Sequence, residues 1–284
     1  MVSHYSKFIL IYILGFAILC CSCNNKESEP CPELPNYSNS KKEFNEDFEN
    51  GLQSFWMKEL ADSIRMDIVK DSFNPKNKIL KIDLNLEDFV SGGIRSEIVM
   101  KPKDSFGYKA NYSFKFLLPD SFFQKEEPQG WYIIHQWHDE AAPGFNWKTY
   151  NRKTQPPIHL LIEHNPNGEY FLYFKTGLEI GEIKEIVPVK WKNKLEPNKW
   201  YTFSCEVLWS LYNNEGYSAP KLDGEYFLNQ TSPKDSIVNH KIYRRNMYNI
   251  IPNYFKFGLY RSGYEKYNRT IYFDDFRFES QRIK

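Results

Sequence analysis

YFKFGLYRSGY, residues Tyr254–Tyr264, is the run near the C-terminus from which the fold can be inferred. Successive side chains of a β-strand point to opposite faces of the sheet, so this run has two chemically different faces. The polar face holds Tyr254, Lys256, Gly258 and Tyr260, and the apolar face holds Phe255, Phe257 and Leu259. We therefore predict a strand whose apolar face packs in a core while its other face carries reactive groups.

Two earlier segments, IRSEIV and IIHQWHD, repeat this arrangement. Arg95 and Glu97 share a face in the first segment, and Gln136 and His138 share a face in the second. His135 falls on the opposite, core-facing side of its strand, and a β-bulge would reverse that assignment. Together the three segments supply arginine, glutamine, histidine, lysine and tyrosine.

The rest of the chain is also patterned as short strands separated by turns. Apolar residues alternate with polar ones over Leu80–Leu86, and the turn sequences at 165–168 and 223–224 predict hairpins. Residues 140–157 and 229–253 are predicted to be loops. The domain shows no sustained helical period, so we predict an all-β fold, a β-sandwich or β-jelly roll of the concanavalin-like type.

Composition limits the possible classes of function. The formal net charge is +1 with 26% charged residues, so no overall field favours nucleic acid as a partner. Aromatic residues make up 17% of the chain, which suits sheet packing and also provides candidate platforms for sugar stacking. The candidates for stacking are Trp131, Trp147, Tyr264 and Tyr267, and a core role for Trp131 is the alternative.

The N-terminus has the features of a targeting segment. Lys7 precedes the apolar run FILIYILGFAILCC, which is typical of a secretory signal and too short to span a bilayer comfortably. The next residues, LCCSCNNKESEP, resemble a bacterial lipoprotein cleavage box and predict lipidation of Cys23. Residues 1–22 are then a signal peptide, 23–42 a flexible tether and 43–284 the folded domain, held at the bacterial cell envelope by the lipid anchor alone. Plain secretion is the alternative.

The remaining cysteines and histidines show no metal-binding pattern. Cys31 and Cys205 would remain after signal cleavage, one in the tether and one in a strand, and we do not predict a disulfide between them. No zinc spacing exists, and His159 and His164 are expected to be structural or surface residues.

Three sequence blocks carry a family resemblance. The blocks are RSE from Arg95, QWH from Gln136 and YFKFGLY from Tyr254. In this order they resemble the signature blocks of β-jelly-roll polysaccharide lyases, namely the alginate lyases with RSE, QxH and YFKxGxY motifs and the related heparin lyase I and glucuronan lyase group. The resemblance implies a monomeric lyase that acts on an anionic polysaccharide. It implies no required cofactor, although a structural calcium ion is compatible with the heparin lyase resemblance.

Two positions depart from the alginate-lyase pattern. Phe257 stands where those enzymes have alanine, and Arg261-Ser262 replaces a polar pair ending in glutamine. Both departures weigh against alginate as the substrate more than against lyase activity.

The predicted chemistry is β-elimination at a uronic acid. The C5 proton of a uronate becomes acidic enough to remove once the charge of the neighbouring carboxylate is neutralised. Arg95 and Gln136 are suited to that neutralisation, and His138 is placed to accept the proton. Tyr260 is the expected acid for the departing oxygen, or the base as well where the stereochemistry of the sugar places the proton on its side. Lys256 is expected to lower the pKa of Tyr260 or to bind a carboxylate or sulfate.

Further residues are predicted to bind substrate: Glu97, Tyr254, Arg261, Tyr264 and Trp147. Nine basic residues are also candidates to line a groove for a polyanion, and they favour a sulfated or densely anionic chain: Lys148, Arg152, Lys153, Lys241, Arg244, Arg245, Arg261, Lys266 and Arg269. Each of them can equally be an ordinary surface charge.

Two other functions are weighed against the lyase. A sandwich-fold glycoside hydrolase needs two cooperating carboxylates, and alternation is expected to put Asp274 and Asp275 on opposite faces. A glycan-binding surface lipoprotein would need aromatic residues but no converging proton-transfer groups.

Overall fold

The structure, a computed structural model, describes residues 41–124, 130–150, 154–228, 236–264 and 266–283, without the side chains of 101–103 and 183. In these residues two short 3-10 helices occur, Ser63–Arg65 and Asp120–Phe122, and all other regular structure is strand. The strands in chain order are β1 (Lys42–Glu46), β2 (Trp56–Glu59), β3 (Met66–Lys70), β4 (Lys78–Leu84), β5 (Phe89–Val90), β6 (Gly93–Asp104), β7 (Tyr108–Leu117), β8 (Trp131–His138), β9 (Ile158–His164), β10 (Tyr170–Thr176), β11 (Glu179–Ile180), β12 (Ile183–Lys184), β13 (Val187–Lys194), β14 (Trp200–Leu208), β15 (Tyr217–Leu222), β16 (Glu225–Tyr226), β17 (Ile237–Val238), β18 (Lys241–Tyr243), β19 (Asn253–Arg261) and β20 (Arg269–Arg282).

The strands form two large antiparallel sheets and one two-stranded ribbon. The order in the larger sheet is β17-β18-β15-β14-β7-β20-β4-β3, with β1 and β16 added at β20 and β15. The order in the second sheet is β13-β10-β9-β8-β19-β6-β2, with β5 added at β6, and β11 pairs with β12. The all-β sandwich predicted from the alternation is therefore confirmed.

The apolar face of β19 builds the core between the two sheets, as its alternation predicts. Phe255, Phe257 and Leu259 have no exposed surface. Phe257 stacks on Phe273 of the larger sheet with ring centroids 4.5 Å apart. Burying three such side chains stabilises the fold by several kcal/mol, at about 1.5–3 kcal/mol for each large apolar side chain.

A bulge in β8 determines which side chains lie on the outer face of the smaller sheet, away from the core; we call this face the groove side. The register between β8 and β9 shifts between Ile133 and His135, so one extra residue lies in β8 at that point. Beyond it His135 remains in the core, where it lies between Phe255 and Phe114. Before it the alternation is reversed, which brings Trp131 to the same side as Tyr260, its edge-to-face neighbour at 5.1 Å.

Three local expectations differ from the structure. β4 ends at Leu84, and Leu86 is exposed in the following turn. The predicted loop 229–253 contains β17 and β18, which extend the larger sheet. A register shift in β20 next to Asp274 leaves Phe276 in the core and brings Asp274 and Asp275 to one outer face beside Lys115, so the prediction of opposite faces is wrong.

Several predictions concern parts of the chain outside this description. The signal peptide, Cys23, Cys31 and residues 23–40 of the tether lie outside the described residues. Cys205 is a buried free thiol whose pKa burial raises to about 12. No helix within the described ranges has the length and apolar character needed to cross a membrane.

A buried carboxyl at the end of β6 should make stability depend on pH. Burial raises the pKa of Asp104 from 3.8 to about 6, although Lys42 lies 3.6 Å away. The folded chain holds this proton more tightly than the unfolded chain, so the group's contribution to stability falls as pH rises from about 4 to about 6. Asp104→Asn removes the titrating group. The unfolding free energy of the variant minus that of the native chain should therefore rise by about 3 kcal/mol between about pH 4 and pH 7.

Urea unfolding at several pH values measures this difference. Asp67→Asn, at an exposed carboxyl on β3, is the control and should differ from the native chain by a constant amount. An Asp104→Asn difference that does not vary with pH would contradict the assignment.

Candidate active site

The three signature blocks lie on adjacent strands of the smaller sheet, β6, β19 and β8. Backbone register places Arg95 opposite Tyr260, Lys256 opposite Gln136, and Tyr254 opposite His138. β2 pairs with the outer edge of β6 and adds a fourth strand to the same surface. The sheet therefore brings the predicted catalytic residues to one face, away from the core.

Two cations and two carboxylates form a buried cluster at the centre of this face. Glu97 accepts hydrogen bonds from the side-chain amide of Gln136 and, at 3.2 Å, from Nη1 of Arg95. The ammonium group of Lys256 donates a hydrogen bond to Glu59 and lies 3.6 Å from Glu97. These four charged side chains and Gln136 are largely buried. Burying a charge costs desolvation free energy, and the pairing of opposite charges offsets that cost.

The protonation behaviour of Glu59 follows from this pairing. Burial by itself raises the pKa of Glu59, but the charge and hydrogen bond of Lys256, with smaller effects of Ser91 and Arg95, outweigh it. The pKa of Glu59 is consequently lowered, and the group is a carboxylate at neutral pH. A carboxylate held in this state is a poor proton donor.

His138 has one ring nitrogen bonded to protein. Nδ1 lies 3.0 Å from the carbonyl oxygen of Asp139 and 3.1 Å from its carboxylate, which is itself buried and accepts a hydrogen bond from Thr154. Because a carbonyl oxygen can only accept, Nδ1 carries the hydrogen in neutral His138. Nε2 is then the ring nitrogen with a lone pair available as a base.

The tyrosine in contact with His138 is Tyr254. The two rings stack with centroids 5.7 Å apart and an interplanar angle of 25°. Burial raises the pKa of Tyr254 strongly, and nearby carboxylates, first Glu140 and then Glu59, add to the effect. Tyr254 is thus a protonated phenol across the neutral pH range.

Tyr260 lies at the other end of the cluster. Its ring covers the guanidinium of Arg95 at 4.1 Å, and Trp131 meets the ring edge-on. Tyr260 is opposite Ile133 and Tyr254 is opposite His138, which separates the two positions by roughly 15 Å along the strand. The two candidate proton-transfer residues, His138 and Tyr260, are therefore not in contact in this structure.

Two glycines give Tyr260 and β19 their positions. A Cβ at Gly93 would lie 2.6 Å from the Tyr260 ring and 3.0 Å from Nη2 of Arg95. Gly258 has φ of +147°, and a Cβ there would lie 2.2 Å from the carbonyl oxygen of Ser96. Any larger residue at either position would displace neighbouring atoms, including the backbone at Gly258.

The predicted substrate-binding residues are placed at different depths. Trp147 is half exposed and meets His138 edge-to-face at 5.7 Å, on the rim of the site. Tyr264 is an exposed turn residue, and nothing in its surroundings ties it to the cluster. Arg261 is 3% exposed, and its guanidinium donates to the carbonyl oxygen of Tyr267. Phe257 is a core residue, so this departure from the alginate-lyase pattern does not reach the groove.

Several of the nine basic residues predicted to line a polyanion groove are engaged by groups of the protein. Lys241 pairs with Glu206 on the larger sheet, and Arg245 pairs with Glu185. Arg269 is buried against the hydroxyl of Tyr132. Arg152 and Lys153 lie outside the described residues.

Another depression on the described surface lies away from these strands and is poorly suited to a polyanion. It has a volume of about 830 Å³ and lies on the outer face of the larger sheet. Carboxylates predominate among its ionisable groups, including Glu43, Glu206 and Glu279. It would repel an anionic chain, so we assign the site to the smaller sheet, where the signature blocks converge.

Sequence patterns missed three residues of the site. Glu59 stands outside the signature blocks and reaches the cluster only because β2 pairs with β6. Asp139 directly follows the QWH block, and this adjacency to His138 was an available signal. His159, expected to be structural or a surface residue, lies on β9 opposite Gln136 and lines a cavity beside Tyr260.

The resemblance to heparin lyases allows for a structural calcium ion. Within the described ranges, no three His, Cys, Asp or Glu side chains are grouped to hold a metal ion. The donors of the central cluster are also already paired with cationic side chains. We derive no step through a metal.

Comparisons with known proteins identify the family of the chain and support its fold. A family model described as polysaccharide lyase matches residues 48–277. A search of curated protein sequences gives no match. Among solved structures, an endo-β-1,4-glucuronan lyase from the fungus Trichoderma reesei superposes with a TM-score of 0.59 and 17% identity, over 83% of this chain and 94% of that chain.

Two further solved structures are similar at lower scores. An alginate lyase in complex with dimannuronate gives a TM-score of 0.46 and 14% identity, over 73% of this chain and 76% of that chain. An alginate lyase from Chlorella virus gives a TM-score of 0.45 and 12% identity, over 77% of this chain and 89% of that chain. At these identities the likeness concerns the fold, and of these three structures the glucuronan lyase has the TM-score that supports it.

The buried pair of Glu59 and Lys256 should show strong energetic coupling. Glu59→Gln leaves the Lys256 ammonium buried with a single, more distant carboxylate, so we expect this variant to be clearly destabilised. In a double-mutant cycle with Lys256→Met, the two changes should couple by about 1–3 kcal/mol, measured by urea unfolding.

The exposed pair of Glu196 and Lys199 is the matched control. The ammonium nitrogen of Lys199 lies 2.7 Å from the carboxylate of Glu196, but both groups are solvent-exposed. The same double-mutant cycle at this pair should give a coupling energy of less than about 0.5 kcal/mol. Equal coupling in the two pairs would show that burial does not strengthen the site pair.

Proposed function

Because this chain belongs to the polysaccharide lyase family, we propose that it cleaves a uronic-acid polysaccharide by β-elimination, with His138 as the base. The observation that carries the proposal is the juxtaposition of His138, whose Nε2 is the basic nitrogen, with a protonated Tyr254 and a buried cluster of charge. The candidate polymers are those with an acidic C5 proton: heparin or heparan sulfate, glucuronan and alginate.

The proposed reaction has three linked changes. His138 takes the C5 proton through Nε2, and the electron pair of the C5–H bond becomes the double bond between C4 and C5. The bond between C4 and the glycosidic oxygen breaks, and that oxygen receives a proton from a tyrosine. The carboxylate of Asp139, 3.1 Å from Nδ1, fixes the orientation of the His138 ring during this transfer.

Tyr254 is the better-placed proton donor. Its ring stacks on His138, and its raised pKa keeps the hydroxyl protonated until the oxygen leaves. The sequence motif points instead to Tyr260, which lies over Arg95. We therefore propose that Tyr254 donates the proton and that Tyr260 holds Arg95 and the sugar.

We propose that Arg95 binds a polymer carboxylate at the Tyr260 end of the site, on a sugar other than the one that His138 deprotonates, because that end lies roughly 15 Å from His138 along the strand. Nη1 of Arg95 is engaged by Glu97, while Nη2 has no hydrogen-bond partner among the described residues and adjoins Gly93 and Tyr260. Gln136 gives its amide hydrogen to Glu97, which is a positioning contact. A carboxylate at Nη2 would gain a charge-assisted hydrogen bond without breaking the cluster.

A hydrolytic mechanism has less support from the same residues. Hydrolysis requires a carboxylic acid with a raised pKa as proton donor. Glu59 has a lowered pKa, and both Glu59 and Glu97 are bound by cations. A glycan-binding role without catalysis remains an outcome of the test below.

The first test incubates the protein with heparin, heparan sulfate, glucuronan and alginate in turn. The product of β-elimination, an unsaturated uronate, is detected by its ultraviolet absorbance. We expect product from at least one polymer, and His138→Ala to lower kcat about 100- to 10,000-fold, as is typical for loss of a general base. Reducing-end release without absorbance would indicate a hydrolase, and binding without either signal would indicate a glycan-binding protein.

A comparison of two conservative variants tests the assignment of the acid. Tyr254→Phe should lower kcat about 100-fold or more, since the proton donor is lost. Tyr260→Phe removes a hydroxyl that binds the sugar and should cost about tenfold or less in kcat/KM. The reverse ranking, with thermal unfolding of both variants unchanged, would assign the acid to Tyr260.

A further inference from the structure

A second feature of the groove adjoins the proposed catalytic residues. A cavity of about 540 Å³ lies beside Tyr260, bounded by β8, β9 and β10 and by the segment around β11 and β12. This volume is within the range of small-molecule binding sites. Its floor comes from cross-strand neighbours, with Ile133 opposite Leu161 and Trp131 opposite Glu163.

His159 supplies a specific polar group to this cavity. Its Nδ1 lies 3.1 Å from the carbonyl oxygen of Pro156, so Nδ1 carries the hydrogen. Nε2 makes no hydrogen bond with the described residues, and the ring lines the cavity. Burial lowers the pKa of His159 to about 4, so the ring is neutral at working pH. His159 therefore offers the cavity a hydrogen-bond acceptor and no donor.

The charged residues around the cavity are already paired with each other. Lys175 lies 3.5 Å from Glu163, and Lys184 lies 3.5 Å from Glu179. The described lining thus carries equal numbers of cationic and anionic groups. An added sulfate would have to compete with these carboxylates for the lysines, and its oxygens would face the lone pair of His159.

We propose that this cavity binds the sugar ring next to the cleaved bond, and that it selects an unsulfated pyranose through a hydroxyl that donates to Nε2 of His159. Ile133 and Leu161 pack under the ring, and Trp131 provides the aromatic wall. A hydroxyl can donate to an acceptor-only group, whereas a sulfate or carboxylate has no hydrogen to give. The inference rests on the proposed lyase activity and narrows its substrate to unsulfated uronate polymers.

Binding is tested in a His138→Ala background, which prevents turnover, by calorimetry with three tetrasaccharides: glucuronan-derived, mannuronan-derived and heparin-derived. We expect an unsulfated tetrasaccharide to bind more tightly than the heparin fragment. Adding His159→Phe should raise Kd for the unsulfated ligand about tenfold, as expected for the loss of one hydrogen bond. His159→Gln retains an acceptor and should recover most of the affinity.

The matched control is His240→Phe, a histidine stacked on Tyr226, outside the cavity, which should leave Kd unchanged. Unchanged Kd in His159→Phe, equal losses in both variants, or tighter binding of the heparin fragment would overturn the proposal.

The two proposals fail separately. If native protein cleaves a polymer with the expected absorbance but His159 has no effect on tetrasaccharide binding, only the cavity assignment is wrong. If no polymer is cleaved and the tetrasaccharide still binds through His159, only the lyase mechanism is wrong.

Discussion

The pairing of buried charge is the constraint on which the site depends. Lys256 is 3% exposed, and an ammonium group at that depth is stable only beside a carboxylate. Glu59 meets that need, so β2 must pair with β6 and the edge of the sheet cannot move independently. Glu97 meets the same need for Arg95, and the hydrogen bond from Gln136 then joins β8 to β6. The chemistry-bearing strands are held together by the electrostatics of the groups that they carry.

Departures from regular sheet geometry place the remaining side chains. The extra residue in β8 leaves His135 in the core and Trp131 on the groove side. In a regular strand these two residues, four positions apart, would share one face. His135 hydrogen-bonds through Nδ1 to the carbonyl oxygen of Lys256 and through Nε2 to Tyr112. A core histidine therefore supports the strand that presents Lys256, which explains a buried histidine with a pKa lowered by burial to about 3 in an otherwise aromatic core.

The groove is divided by charge. Its centre is a compensated cluster, one end holds His138 with Tyr254, and the other holds Tyr260 over Arg95 beside an electrically balanced cavity. In the proposed mechanism this division separates proton transfer, which needs shielded groups, from sugar recognition, which needs an open apolar floor.

The sequence alone determined which side chains of β19 face the core. Strict alternation in YFKFGLY assigns Phe255 and Phe257 to the core and Lys256 to the other side, because side-chain period in a strand is a local property. Only the tertiary structure decided which groups meet across strands. Glu59 ends β2, 34 residues before the first residue of β6, the strand that holds Glu97, and sequence spacing contains no information about that pairing. Register and bulges, set by packing of the whole sheet, placed Tyr254 rather than Tyr260 against His138.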